Sequence, residues 1–140
     1  MAVAELAGDA ADPWWIIGSA AVALVGGAVD DVRDVDVLKS SADASNLLAR
    51  VGSGPARREP DQRFSSDVFG TWKAPPLPVE FMGGFCYCSS GLWRPVRPVT
   101  RDAVGVDGRT LFVPSAAELK ALLLGFGRDK DIARAALIPG

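Results

Sequence analysis

The chain has 140 residues, 49% hydrophobic and 23% charged, with a formal net charge of −2. That length suits a single domain over residues 1–140, and the charge excludes the basic surface of a general nucleic-acid binder. There is no histidine, which removes Ser-His-Asp and Cys-His nucleophiles and His-ligated zinc or iron, and leaves any general base to a carboxylate.

In chain order, residues 1–11 are Ala-rich and acidic, a short helix or a frayed end. "PWWIIG" (13–18) reads as a buried strand closed by glycine. "SAAVALV" (19–25) reads as a helix that stops at Gly26-Gly27, with Ser19 placed to cap it. A second strand is expected from Arg33 to Leu38 within "DVRDVDVL", and a helix over 40–52 with serine caps. The Gly/Pro-rich, charged stretch 52–63 reads as a loop able to cover a site.

One short strand is expected within 64–76 and another in "LPVEFMGGF" (77–85), interrupted by Glu80. "WRPVRPVT" and "AVGVDGRTLFVP" suggest further strands, the latter turning at Asp107-Gly108. A capping box, Ser115 to Glu118, opens a leucine-faced helix over 115–126, and a short last helix spans 128–138. The class is α+β: a mixed sheet with helices packed mainly on one face.

Cys86 and Cys88 form C-x-C, too close for a good structural disulfide and without other soft ligands, so reduced thiols in a cytoplasmic protein are expected. The longest apolar stretch, Pro13 to Val29, is Gly/Ala-rich and preceded by acids, unlike a signal peptide or a membrane span. Charge is divided unevenly. Residues 1–50 hold eight acidic and three basic side chains, and 51–140 hold nine and twelve. This is ordinary solvated surface, or an acidic strand and scattered arginines gathered around a metal-bound anion.

Asp34, Asp36 and Glu80 stand where apolar strands make carboxylates costly. Residues two apart on a strand share a face, about 6.6 Å apart, and a neighbouring strand lies about 4.8 Å away. Three such charges need a cation, and all-oxygen ligation suits Mg²⁺ or Mn²⁺. The alternatives are a solvated edge with Arg33 pairing the aspartates, and a salt bridge from Glu80 to an arginine. Gly18-Ser19, at a strand-to-helix junction, can hold an anion, or Ser19 is a plain cap.

"IIGSAAVALVGG" followed by "VRDVDVL" resembles the nucleotidyltransferase superfamily, the DNA polymerase beta-like fold, in its small bacterial minimal members. The shared pattern is Gly-Ser at a helix start (Gly18, Ser19), Asp-x-Asp on the next strand (Asp34, Asp36) and a later strand acid (Glu80). The end of the chain is similar to a further pattern, an R-x-K-D element opening the last helix, here Arg128, Lys130 and Asp131. The gap from Ser19 to Asp34 is somewhat long for the signature, and aspartate is more usual as the third acid.

The resemblance implies transfer of a nucleoside monophosphate from a nucleoside triphosphate to an unidentified acceptor. It implies metal ligation by Asp34 and Asp36, with Glu80 as ligand or base. Gly18 and Ser19 would then bind the triphosphate, and Arg128 or Lys130 would contact phosphate. The competing expectation is a catalytically inactive member, a binding or regulatory protein such as a toxin–antitoxin partner. Arg128, Lys130 and Asp131 also read as charges opening a short helix, with an Arg–Asp pair at i,i+3. The small size implies a homodimer, a partner protein or a small acceptor.

Overall fold

The computed structural model describes residues 12–52 and 62–139; the stretch 1–11 and residues 53–61 of the expected loop lie outside the described residues. In chain order the elements are β1 (Trp15–Ile17), α1 (Gly18–Leu24), β2 (Val35–Lys39), α2 (Ser41–Arg50), β3 (Phe64–Ser65), β4 (Val68–Trp72), β5 (Val79–Gly83), β6 (Cys86–Ser89), β7 (Leu92–Pro95), β8 (Asp102–Val106), β9 (Arg109–Val113), α3 (Ala116–Phe126) and α4 (Asp129–Ala136). The class is α+β, as the sequence indicates. No helix among the described residues is long and apolar enough to cross a membrane.

The main sheet has the order β1-β2-β5-β4, with β2 and β5 parallel and the outer pairs antiparallel. Alternation sorts its side chains into two faces. Ile16, Val37, Phe81 and Gly70 form one row across the sheet, and Ile17, Asp36, Glu80 and Thr71 form the next. The first row is core: Ile16, Val37 and Phe81 are fully buried.

Helix α2 covers that face. Leu48 packs so closely on Gly70 that a Cβ there would lie 2.6 Å from its side chain. Gly83 is equally constrained by Ser41 and Ala44. The helix starts as its serines indicate, with Ser40 accepting from the Asp43 amide. Helices α1, α3 and α4 pack together on the opposite side. There Leu123 and Phe126 of α3 meet Met82 and Phe85 around one cavity.

Two hairpins complete the chain. The β6–β7 hairpin turns at Ser90-Gly91, both with positive φ, and the β8–β9 hairpin turns at Asp107-Gly108, as expected. Two strand expectations change. The stretch 64–76 holds two strands, β3 and β4, rather than one. "WRPVRPVT" stays in the ladder only to Pro95, because Pro95 and Pro98 have no N–H to donate.

The capping box at Ser115 is half formed. Ser115 accepts from the Glu118 amide, but the Glu118 carboxylate turns to the amides of Val99 and Thr100 at 2.9 Å each, while Thr100 Oγ1 accepts from the Ser115 amide. Donation from the Thr100 hydroxyl and from the Val99 and Thr100 amides holds the Glu118 carboxyl below its usual range, against the opposing effect of burial. The result ties the approach to β8 onto the start of α3.

At the far end of β2, Lys39 is buried on the Val37 side of the strand. Its ammonium has no hydrogen-bond partner among the described residues and lies 5.7 Å from the Trp14 ring. Burial pushes its pKa down to about 8; Arg101 lowers it further and Asp43 opposes. A lowered lysine pKa means the folded state prefers the neutral amine. Stability therefore rises with pH between about 8 and 10.5, and below 8 the buried charge is a standing cost. Lys39→Met should stabilise the protein by about 1–3 kcal/mol at pH 7, with the gain shrinking by pH 10. Urea unfolding of both proteins across that range checks it.

Candidate active site

The parallel pairing of β2 and β5 puts Asp36 directly opposite Glu80 in register. Asp34 stands one residue before β2, with the same parity as Asp36, so its side chain reaches the same side. One carboxylate oxygen from each of the three acids lies within 4.8 Å of the others, and all three are half-buried. Asp34 and Asp36 are thus not paired to Arg33, whose Nε bonds Asp31 at 2.7 Å out in solvent.

Gathering these acids has an electrostatic signature. The Asp36 carboxyl is pushed up to about 8, first by burial, then by the Asp34 charge and by its hydrogen bond and charge interaction with Glu80. Arg134 pulls it the other way. Like charges this close retain a proton between them unless a cation enters.

Gly18 abuts the cluster. Its φ is +71°, and a Cβ at that position would sit 2.6 Å from Asp36 Oδ2. Glycine is required there on both counts. Ser19 does not cap α1: the capping position is Ile17, without a side-chain bond, and Ser19 is a buried residue of the first turn, on the cavity wall.

One cavity of about 610 Å³ collects Gly18, Ser19, Asp34, Asp36, Glu80, Arg128 and Lys130, every residue singled out for chemistry in the sequence. Asp31 and Arg33 also line it. Its cationic wall is α4, which opens at Arg128 and adds Lys130 and Arg134. Its apolar lining is Ile17, Phe64, Met82, Phe85, Leu123 and Phe126.

Arg134 was not legible as a site residue, although its place four residues after Lys130 puts it on the same helical face. Phe64 carried no signal at all, since it reaches the cavity only through pairing with Tyr87 of β6. The arrangement sets three convergent carboxylates against a wall of cations. Such a site is suited to a divalent cation together with a polyanion.

No protein-family model matches the chain, and no curated protein sequence does. Solved structures do. The chain is similar to a candidate nucleotidyltransferase of Thermotoga maritima, TM1012, at 22% identity and a TM-score of 0.76, over 91% of this chain and 81% of that one. It is also similar to the antibiotic-resistance factor ANT(2'')-Ia in solution, at 12% identity and a TM-score of 0.59, over 97% and 78%. A crystal structure of ANT(2'')-Ia with adenylyl-2''-tobramycin matches at 10% identity and the same TM-score of 0.59, over 97% and 83%. At these identities the likeness shows the fold: the chain has the nucleotidyltransferase fold.

The raised Asp36 pKa sets a pH dependence. Between about pH 4 and pH 8 the folded cluster holds a proton that the unfolded chain has released, so stability without added metal falls as pH rises through that window. Asp36→Asn removes the effect. It should stabilise the metal-free protein at pH 8 by on the order of 2 kcal/mol, and by little at pH 4. Thermal melts in chelator at both pH values test this.

Proposed function

We propose that the chain is a metal-dependent nucleotidyltransferase that moves a nucleoside monophosphate from a nucleoside triphosphate to an acceptor hydroxyl or similar group, releasing pyrophosphate. The observation that carries this reading is the convergence of Asp34, Asp36 and Glu80 within a cavity whose other walls are Gly18-Ser19 and the cations of α4. The fold supports it. So does the direction of Glu80, whose carboxylate converges on Asp34 and Asp36 rather than turning away from them.

The donor set fits a hard divalent ion, Mg²⁺ or Mn²⁺, in the nature of its atoms and in the burial and mutual repulsion that push the Asp36 pKa up to about 8. Asp34, Asp36 and Glu80 are the residues that would hold it. When bound, such an ion neutralises the carboxylates and withdraws charge from the phosphoryl group under attack.

The remaining work falls to the chain. Gly18, having no side chain, leaves the backbone beside Asp36 open to close approach by a phosphate. Lys130, Arg128 and Arg134 offset the charge of the polyphosphate, including that which builds on the leaving pyrophosphate. The acceptor oxygen forms its bond to the α-phosphorus as the bond from that phosphorus to the bridging oxygen breaks. The acceptor proton passes to a carboxylate of the cluster, Glu80 or its partner, in a chain with no histidine to take it. The cavity is of a size for a nucleotide, and a small acceptor is supported by ANT(2'')-Ia, of similar fold, whose crystal structure is a complex with adenylyl-2''-tobramycin.

Scanning the four ribonucleoside triphosphates with Mg²⁺ or Mn²⁺ should raise the melting temperature by several degrees for at least one pair. Asp36→Asn should abolish that shift while leaving the protein folded. No shift with any nucleotide and either metal would contradict the proposal.

A further inference from the structure

The last helix has two acids in its first turn, Asp129 and Asp131, which suit its dipole, but an arginine ahead of them. Its capping position is Arg128, a cation at the positive end of the helix dipole, and the Arg128 side chain makes no capping bond. Three residues on, Asp131 is 1% exposed, among the most buried charged side chains described. An exposed i,i+3 ion pair would add little stability and would need no burial. A carboxylate taken out of water this completely needs a partner of fixed geometry.

That partner is Arg128, held at two points: Nε to Oδ2 at 2.6 Å and Nη2 to Oδ1 at 2.9 Å. The guanidinium also lies over the face of Phe64, 4.6 Å from the ring centroid. The two contacts fix different things: the carboxylate sets rotation within the guanidinium plane, and the ring sets the plane. Phe64 is itself held, stacked on Phe85 at 5.6 Å and edge-on to Phe126 at 5.3 Å. Arg128, Asp131 and Phe64 all line the cavity that holds the acidic cluster.

Asp131 occupies the edge of the guanidinium formed by Nε and one Nη. The other two-donor edge, between Nη1 and Nη2, points away from Asp131, and Arg128 keeps 32% of its side-chain surface open. We propose that Asp131 is a positioning residue, which with Phe64 holds Arg128 as a preset two-pronged receptor for a phosphate of the substrate. The proposal rests on the nucleotidyltransferase reading and adds a residue that does not touch substrate. Fixing the side chain before binding removes the rotamer entropy that a free arginine loses on capturing a phosphate. It also explains the arginine, since a lysine cannot meet a carboxylate and a phosphate through two separate planar edges.

Calorimetric titration with Mg²⁺ and the best-bound nucleoside triphosphate, and in parallel with Mg²⁺ and inorganic tripolyphosphate, tests the proposal. Asp131→Asn should weaken both by about tenfold. In an Arg128→Gln background the same change should alter affinity less than twofold, because Asp131 acts through Arg128. A merely structural Asp131 would lower the melting temperature and leave both affinities unchanged in the folded variant, which would overturn the inference while sparing the parent reading. Additive losses in the double variant would overturn it as well. Absence of triphosphate binding by the unaltered protein would remove both. Should a single variant that breaks the ion pair not fold, Phe64→Leu, which keeps the pair and removes the ring that sets the guanidinium plane, must weaken tripolyphosphate binding by about threefold. Unchanged affinity there would overturn the inference.

Discussion

The structure depends on a conflict held in place by a sheet. Parallel pairing of β2 with β5 sets Asp36 against Glu80, and Asp34 reaches the same spot from the strand's entrance. Backbone hydrogen bonds and the apolar row of Ile16, Val37 and Phe81 behind it leave the acids no freedom to separate. Packing on one face thus enforces repulsion on the other. Burial and that repulsion together displace the Asp36 pKa, and this shared cost is what the proposed cation would relieve.

The rest of the fold serves the same spot from several directions. The β1–α1 turn needs Gly18 because the Asp36 carboxylate leaves no room for a Cβ. The α3–α4 turn ends α3 at Gly127, with φ of +77°, and starts α4 with its cations aimed into the cavity. Phe64 of β3 lies against the arginine that opens α4, and is itself braced by Phe126 of α3 and by Phe85 just before β6. Elements far apart in sequence meet there because each buries its apolar side in one continuous core.

Much of this was legible in the chain. Period-two alternation around Asp34 and Asp36, with valines between, marks a strand with one polar face. A lone glutamate in an apolar run marks its partner. Glycine and serine caps place the helices to within a residue or two. What was not legible depended on long-range contacts. The sequence around Ser19 reads as a cap, yet the helix starts one residue earlier, at Gly18, and Ser19 is buried in its first turn. Glu118 fits a capping box, yet the amides of Val99 and Thr100 compete for its carboxylate. Phe64 reaches the cavity through a two-residue strand with no local signature, and Arg134 is visible only once the helix is known to face the acids.

The most direct measurement is a crystal structure of the protein with Mn²⁺ and a non-hydrolysable triphosphate analogue, with manganese located by its anomalous scattering. Manganese should be bound by Asp34, Asp36 and Glu80, with the polyphosphate running between Gly18-Ser19 and the cations of α4. Manganese absent from the acids, with the triphosphate outside this cavity, would contradict the proposed function.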